Sequence, residues 1–258
     1  MTDATTLGLI ADVHANLPAL EAVLEDMPPV DAVVCAGDVV GYNPWPAACV
    51  ERVREVASVT VRGNHDGTVE RPERYRGNRM AEAGLEHALA TLSERDLAWL
   101  RGLPRTARIA DGRFLLVHSH PSPEREDAYV YPEEFAALDR HLEAVDGVGD
   151  RGGLDGAVLG HTHVQAARRT RDGRLVINPG SVGQPRDGDP DAAYAVLTVG
   201  DDREGVAGDD RDGPERSTRA ADAAVDLRRV AYDVDRVARA VADAGLPERT
   251  AARLYEGA

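Results

Sequence analysis

The sequence predicts an α/β fold that opens on a parallel sheet, and three observations carry that reading. Short apolar runs alternate with helical stretches led by proline over the first 61 residues. The order of these pieces is β-α-β-α-β, the signature of parallel strands joined by helical crossovers. Each apolar run is also followed by a cluster of Asp, Asn or His, where ligands gather outside the carboxyl ends of strands in such sheets.

The elements follow in order. Residues 6–11 (Thr-Leu-Gly-Leu-Ile-Ala) read as a first strand, buried on both faces. Pro18 opens a helix that runs to about Asp26, proline being tolerated in a first helical turn. Residues 32–36 form a second strand, 46–56 another proline-led helix, and 59–61 a third short strand. Helical periodicity fills about 80–102, where Ser93 and Asp96 have the spacing of a capping box. A hairpin is expected next, with arms 105–110 and 113–117 about the turn Asp111-Gly112. Residues 132–145 read as helix, and 157–159, 165–170 and 175–178 as strands. Strands at 192–199 and 225–234 are expected to complete a second sheet. Two short helices, 235–244 and 247–256, then close a single domain over 1–258. The stretch 200–222, rich in Asp, Gly and Arg and without periodicity, reads as an exposed acidic loop.

Composition speaks to environment. The chain has 258 residues, enough for a core that needs no disulfide staples. It carries 45 acidic against 30 basic residues, a net charge of −15, and every basic residue is arginine. An acidic surface keeps a chain soluble by self-repulsion, so a halophilic source is the first reading and a GC-rich genome the alternative. The same balance argues against a nucleic-acid partner, which wants a basic face. Cys35 and Cys49 suggest no disulfide framework. There is no basic leader followed by an apolar stretch, and no run near the roughly 18 apolar residues of a membrane span. The expected setting is the cytoplasm.

The chemistry lies in five clusters. They are Asp-Val-His at 12–14, Gly-Asp at 37–38, Gly-Asn-His-Asp at 63–66, Val-His-Ser-His at 117–120 and Gly-His-Thr-His at 160–163. Alone, each has an ordinary reading as a helix cap, a turn or a surface histidine. Together they hold six of the eight histidines; His87 and His141 fall in helical stretches and are read as ordinary. Five strand ends supplying only Asp, Asn and His are hard to explain as core packing. Seven O and N donors meeting at one point describe a site for two divalent metals, the usual machinery for hydrolysing phosphate esters. A donor set without thiolate suits Mn first, with Fe, Zn, Ni and Mg also compatible.

The order of these clusters, continued through Asn178-Pro179-Gly180-Ser181-Val182-Gly183-Gln184-Pro185-Arg186, resembles the calcineurin-like metallophosphoesterases. Within that family it is most similar to the small prokaryotic phosphodiesterases and phosphatases, over roughly residues 5–199. The resemblance implies a four-layer α-β-β-α sandwich, two mixed sheets flanked by helices. It implies that Asp12, His14 and His163 bind one metal, that Asn64, His118 and His161 bind the other, and that Asp38 bridges both. It further implies in-line attack by a metal-bridging hydroxide, with His65 at the rim stabilising the transition state or protonating the leaving group. In the phosphoprotein-phosphatase branch an Asp three residues after Gly-Asp orients this histidine; here that position is Gly41. Where a glycine often follows the ligand histidine of the fourth cluster, this chain has Ser119.

Arg186 is read as a phosphate contact or, equally, as the partner of a nearby Asp. Tyr42 and His120 are further candidates for substrate contact. Ser181 lacks the glycine spacing of a nucleophile elbow. The expected substrate is a small phosphate ester, nucleotide-like in one reading, and a homo-oligomer is compatible with the chain. Dinucleoside polyphosphate hydrolysis and nuclease action use the same site and stay open. The rival from another class is a non-catalytic scaffold, which would be expected to have lost ligands.

Overall fold

A computed structural model describes residues 4–146, 153–200 and 222–258. The acidic stretch expected to be a loop lies almost wholly at 201–221, outside the described residues.

The first sheet has the order β10-β9-β1-β2-β3, made of Thr5–Ile10 (β1), Ala32–Cys35 (β2), Ala57–Thr60 (β3), Ala192–Val199 (β9) and Ala223–Val230 (β10). β1, β2 and β3 run parallel, as the crossover pattern predicts, with Leu7 opposite Ala32 and Cys35 opposite Thr60. β9 and β10 add an antiparallel edge, Leu9 facing Ala195. The second sheet has the order β4-β5-β6-β8-β7, made of Thr106–Ile109 (β4), Phe114–Val117 (β5), Gly156–Val158 (β6), Ala166–Arg169 (β7) and Leu175–Asn178 (β8). It too is mixed: β5, β6 and β8 are parallel, β4 and β7 antiparallel edges.

One sequence expectation is corrected here. Residues 192–199 and 225–234 were expected to complete the second sheet, yet β9 and β10 extend the first. β9 is apolar on both faces: Ala195 and Leu197 enter the core between the sheets, Ala192 and Tyr194 the core outside the first sheet. Periodicity reports burial, but not which sheet does the burying.

Alternation along the strands builds the layers. Phe114 and Leu116 of β5, with Leu175 and Ile177 of β8, meet Leu7 and Leu9 of β1 in the core between the sheets. Leu115, Val117 and Val176 point the other way, onto Phe135 and Leu142. Ile10 and Cys35 face Leu20 and Val23 of α1 (Leu17–Asp26) and Val50 and Val53 of α2 (Pro46–Val56). Two mixed sheets between helical layers are therefore present.

The other helices refine the reading. A short α3 (Asn64–Thr68) starts directly after β3. The stretch 80–102 is two helices, α4 (Arg79–Thr91) and α5 (Glu94–Gly102), divided by the Ser93–Asp96 capping box. The expected helix at 132–145 is a 3-10 segment, Pro132–Ala137, followed by α6 (Asp139–Asp146). α7 (Val234–Asp243) and α8 (Glu248–Glu256) pack Val237, Val241 and Leu254 on Ala83 of α4. That packing carries the end of the chain back beside the strand ends. No helix among the described residues is long and apolar enough to cross a membrane.

Candidate metal centre

The strand-end clusters converge. Asp12 and His14 follow β1, Asp38 follows β2, Asn64 and His65 open α3, His118 follows β5, and His161 and His163 follow β6. Asp12, His14 and His163 place one ligand atom each within 4.8 Å of one another; so do Asp38, His118 and His161, and His14, Asp38 and His65. Asp12 and His14 are 0% exposed and Asp38 1%, and His118, His161 and His163 are buried as well.

Backbone strain aims these groups. Positive φ occurs at Asp12 (52°), His14 (47°), Asp38 (54°), Tyr42 (60°), His161 (70°) and His163 (60°). Residues with side chains seldom adopt that region, and its concentration at one place marks a site over-determined by its surroundings. The surroundings here are hydrogen bonds. The Asp12 and His14 amides donate to the Gly37 and Asp38 carbonyls at 2.9 Å, joining the two loops. The His161 amide donates to the Asp12 carboxylate at 3.0 Å, and the His65 amide to Asp38 Oδ1 at 2.8 Å. Asp66 is the hub: its carboxylate accepts from the amides of Asp38 (2.8 Å), Val39 (2.9 Å) and Gly63 (3.0 Å). Ser181 Oγ donates to the Asp12 carbonyl at 2.7 Å and accepts from the Gln184 amide.

The histidine rings are oriented from behind. His14 Nδ1 lies 3.1 Å from the Val40 carbonyl, His118 Nδ1 2.8 Å from that of Ala36, and His163 Nδ1 2.6 Å from that of Gln184. A carbonyl only accepts, so each Nδ1 carries a proton and donates it; this leaves a bare lone pair on Nε2 of neutral His14 and His163, and on Nε2 of His118 once its second proton is lost. Those lone pairs converge: His14 Nε2 faces His163 Nε2 at 3.1 Å. His163 Nε2 lies 3.3 Å from Asp12 Oδ1, and His118 Nε2 3.4 Å from Asp38 Oδ2 and 3.0 Å from Asn64 Oδ1. His161 is turned the other way: its Nε2 donates to the Asp127 carbonyl at 3.0 Å, freeing Nδ1 for the cluster. The Asp127 amide is in turn held by Ser119 Oγ at 3.1 Å. Ser119 thus has a use of its own and needs no positive φ. Acceptors aimed at acceptors in a buried site repel unless a cation sits among them. The oxygen and imidazole donors suit a divalent ion, and the arrangement fits the implied metals.

Electrostatics agree. Burial pushes the Asp12 carboxyl up to about 7 against the opposing pull of His118. For His118, burial alone would lower the pKa, but Asp38 beside it outweighs this and holds the imidazolium up to about 10. Burial lowers His14 and His163 well below the usual histidine range, and His161 to about 3.

His65 lies among rings. Its centroid is 4.8 Å from Tyr42, 4.9 Å from Tyr75 and 4.8 Å from His14. Asp66 does not orient it, being engaged with backbone amides, and His65 Nδ1 is buried without a hydrogen-bond partner among the described residues. Gly41 (φ 99°) makes the room: a Cβ there would stand 2.3 Å from that nitrogen. Burial brings the His65 imidazolium down to about 4, only partly offset by Asp38.

A cavity of about 110 Å³ opens over the cluster, lined among others by Asp38, Tyr42, His65, Tyr129 and Arg186. Arg186 donates to Gln184 Oε1 at 2.9 Å and Tyr42 Oη at 3.2 Å; among the described residues it has no Asp partner and its buried Nε has no hydrogen-bond partner. His120 is not brought into this cavity; it accepts from the Ser122 amide at 3.0 Å and packs edge-on against His141. Sequence reasoning missed Tyr75, which hydrogen-bonds Asn64, Tyr129, stacked 4.2 Å from His161, and Arg253 of α8. These lie outside the clusters, and no local pattern marks them.

Comparison with known proteins bears on this geometry. The family model of the calcineurin-like phosphoesterase superfamily domain matches residues 6–202. Phosphodiesterase YfcE of Escherichia coli K12 is 30% identical over 203 residues, covering 74% of this chain and 86% of that protein. An uncharacterized protein of Methanocaldococcus jannaschii is 27% identical over 97% of this chain and 98% of its own. The crystal structure of a metallophosphoesterase from Sphaerobacter thermophilus superposes with a TM-score of 0.75 at 33% identity, covering 99% of this chain and 100% of that one.

Proposed function

The chain belongs to the calcineurin-like phosphoesterase superfamily, and from that premise we infer that it hydrolyses a small phosphodiester or phosphomonoester at a centre of two divalent metals. The observation that carries the reading is the convergence of bare imidazole nitrogens, His14 Nε2 and His163 Nε2 at 3.1 Å, with both partner nitrogens already donating to carbonyls. In this proposal Asp12, His14 and His163 hold one cation, Asn64, His118 and His161 the other, and Asp38 serves both. Manganese is the first choice for a set of carboxylate, amide and imidazole donors. When bound, such a pair lowers the pKa of water and offsets charge on phosphoryl oxygens.

The chain's own groups do the rest. Arg186 lines the cavity, and its guanidinium donates to a non-bridging oxygen of the ester. His65, neutral because burial lowers it to about 4, supplies a hydrogen bond to the substrate rather than a proton. Tyr42 packs beside His65 and accepts from Arg186, so it positions both.

The test is hydrolysis of p-nitrophenyl phosphate and bis-p-nitrophenyl phosphate with Mn²⁺ and with chelator. Metal-dependent release of nitrophenol is expected. Asp38→Asn and His65→Ala are each expected to lower kcat by about 10²-fold or more while the protein stays folded. Wild-type rates in both variants would overturn the mechanism, and chelator-resistant turnover the metal centre.

A further inference from the structure

A second cavity, about 230 Å³, adjoins the metal centre, and Asn64 lines both. Four arginines from three separate stretches face it: Arg62 after β3, Arg71 and Arg74 at the start of and within the 3-10 segment Pro72–Tyr75, and Arg105 before β4. Two carboxylates, Glu126 and Asp127, share the lining. The wall is therefore net positive, in a chain with 45 acidic against 30 basic residues. Gathering like charges around one hollow is costly unless an anion enters it.

The arginines divide into fixed and free. Arg105 donates to the Pro121 carbonyl at 3.1 Å and the His120 carbonyl at 2.6 Å. Its Nε is buried with no hydrogen-bond partner among the described residues, 4.0 Å from Glu126 Oε1. Arg62 lies 3.4 Å from the same carboxylate. Arg71 and Arg74 make no ion pair or side-chain hydrogen bond among the described residues, so their planar forks are open to a phosphate.

We propose that this cavity is a subsite for a second phosphate group, so that the substrate is a small molecule bearing two phosphates. One phosphate lies over the metal ligands and the other among Arg62, Arg71, Arg74 and Arg105, with Asn64 between them. The proposal rests on the phosphoesterase reading. A nucleic-acid strand fits less well, because Glu126 and Asp127 would repel a run of phosphates.

Matched pairs test this at one fixed ionic strength: adenosine 5′-monophosphate against adenosine 3′,5′-bisphosphate, and fructose 6-phosphate against fructose 1,6-bisphosphate. The wild-type enzyme is expected to prefer the bisphosphate of at least one pair by about tenfold or more in kcat/KM, the scale of charge-assisted hydrogen bonds. The pair that shows it identifies the carrier. In Arg71→Ala/Arg74→Ala the ratio is expected to fall towards unity, with metal content and thermal midpoint retained. Calorimetric titration of each pair into Mn²⁺-loaded His65→Ala, with and without the two arginine substitutions, reads the same preference as a ratio of Kd values without relying on turnover. Equal preference with and without Arg71 and Arg74 in both readouts overturns the subsite. If nothing is hydrolysed, p-nitrophenyl phosphate included, but the arginine-dependent binding ratio persists, the phosphoesterase reading fails and the anion subsite stands.

Discussion

His65 enters its cavity without a carboxylate behind it. Gly41 stands where a side chain would be, and three rings hold the imidazole in place. Gly41→Ala would put a methyl group 2.3 Å from Nδ1 at a backbone φ of 99°. We predict a fall in kcat of about 10²-fold, because a misplaced catalytic group loses most of its effect. Bound metal, read by elemental analysis, should be retained; an unchanged kcat would mean that contact with Gly41 does not position the ring. A second prediction concerns protons. Asp12 at about 7 and His118 at about 10 must both be deprotonated to act as ligands. Metal binding should therefore release protons and strengthen as pH rises, with His118 the source near pH 8 and Asp12 adding to it below pH 7. Calorimetry in buffers of different ionisation enthalpy measures this, and zero proton release would contradict it.

Among the elements, the loop after β2 shows how a segment is held in a strained shape. Asp66, on α3, binds the amides of Asp38, Val39 and Gly63, which would otherwise be buried without partners. Removing that acceptor strands several donors at once, so Asp66→Ala should cost about 3 kcal/mol or more in urea unfolding. Asp66→Asn, which keeps one acceptor oxygen, should cost less. A loss under about 1 kcal/mol in the alanine variant would show that the loop does not depend on this residue. The Gly-Asn-His-Asp motif named Asp66, but only the turn of α3 against the β2 loop reveals its partners. In the same way α8 delivers Arg253 to the cavity from the end of the chain, an approach set by the packing of Val237, Val241 and Leu254.

For the whole molecule, two sheets share one core, and their strand ends meet at one rim. Binding of the two proposed cations there would join the first sheet's Asp12, His14 and Asp38 to the second sheet's His118, His161 and His163. It should therefore stabilise the fold globally by linkage. With Mn²⁺ at about 100 times its Kd the gain is about 2.7 kcal/mol, a rise of roughly 5–10 °C in thermal midpoint. Chelator should reverse it. A midpoint indifferent to both would mean that no cation bridges the sheets.

The sequence by itself determined the α/β class, the parallel start of the first sheet and the set of clustered Asp, Asn and His side chains. Those are local signals: apolar period, proline at helix starts, and Asp, Asn or His at strand ends. Tertiary structure alone decided that β9 and β10 join the first sheet, that His120 turns away to His141, and that Tyr75, Tyr129 and Arg253 line the site. It also decided which nitrogen of each histidine is free, since that depends on carbonyls such as Val40, Ala36 and Gln184 brought alongside by folding. Contacts between residues far apart in the chain leave no period or motif behind, because their geometry comes from packing and not from neighbours in sequence.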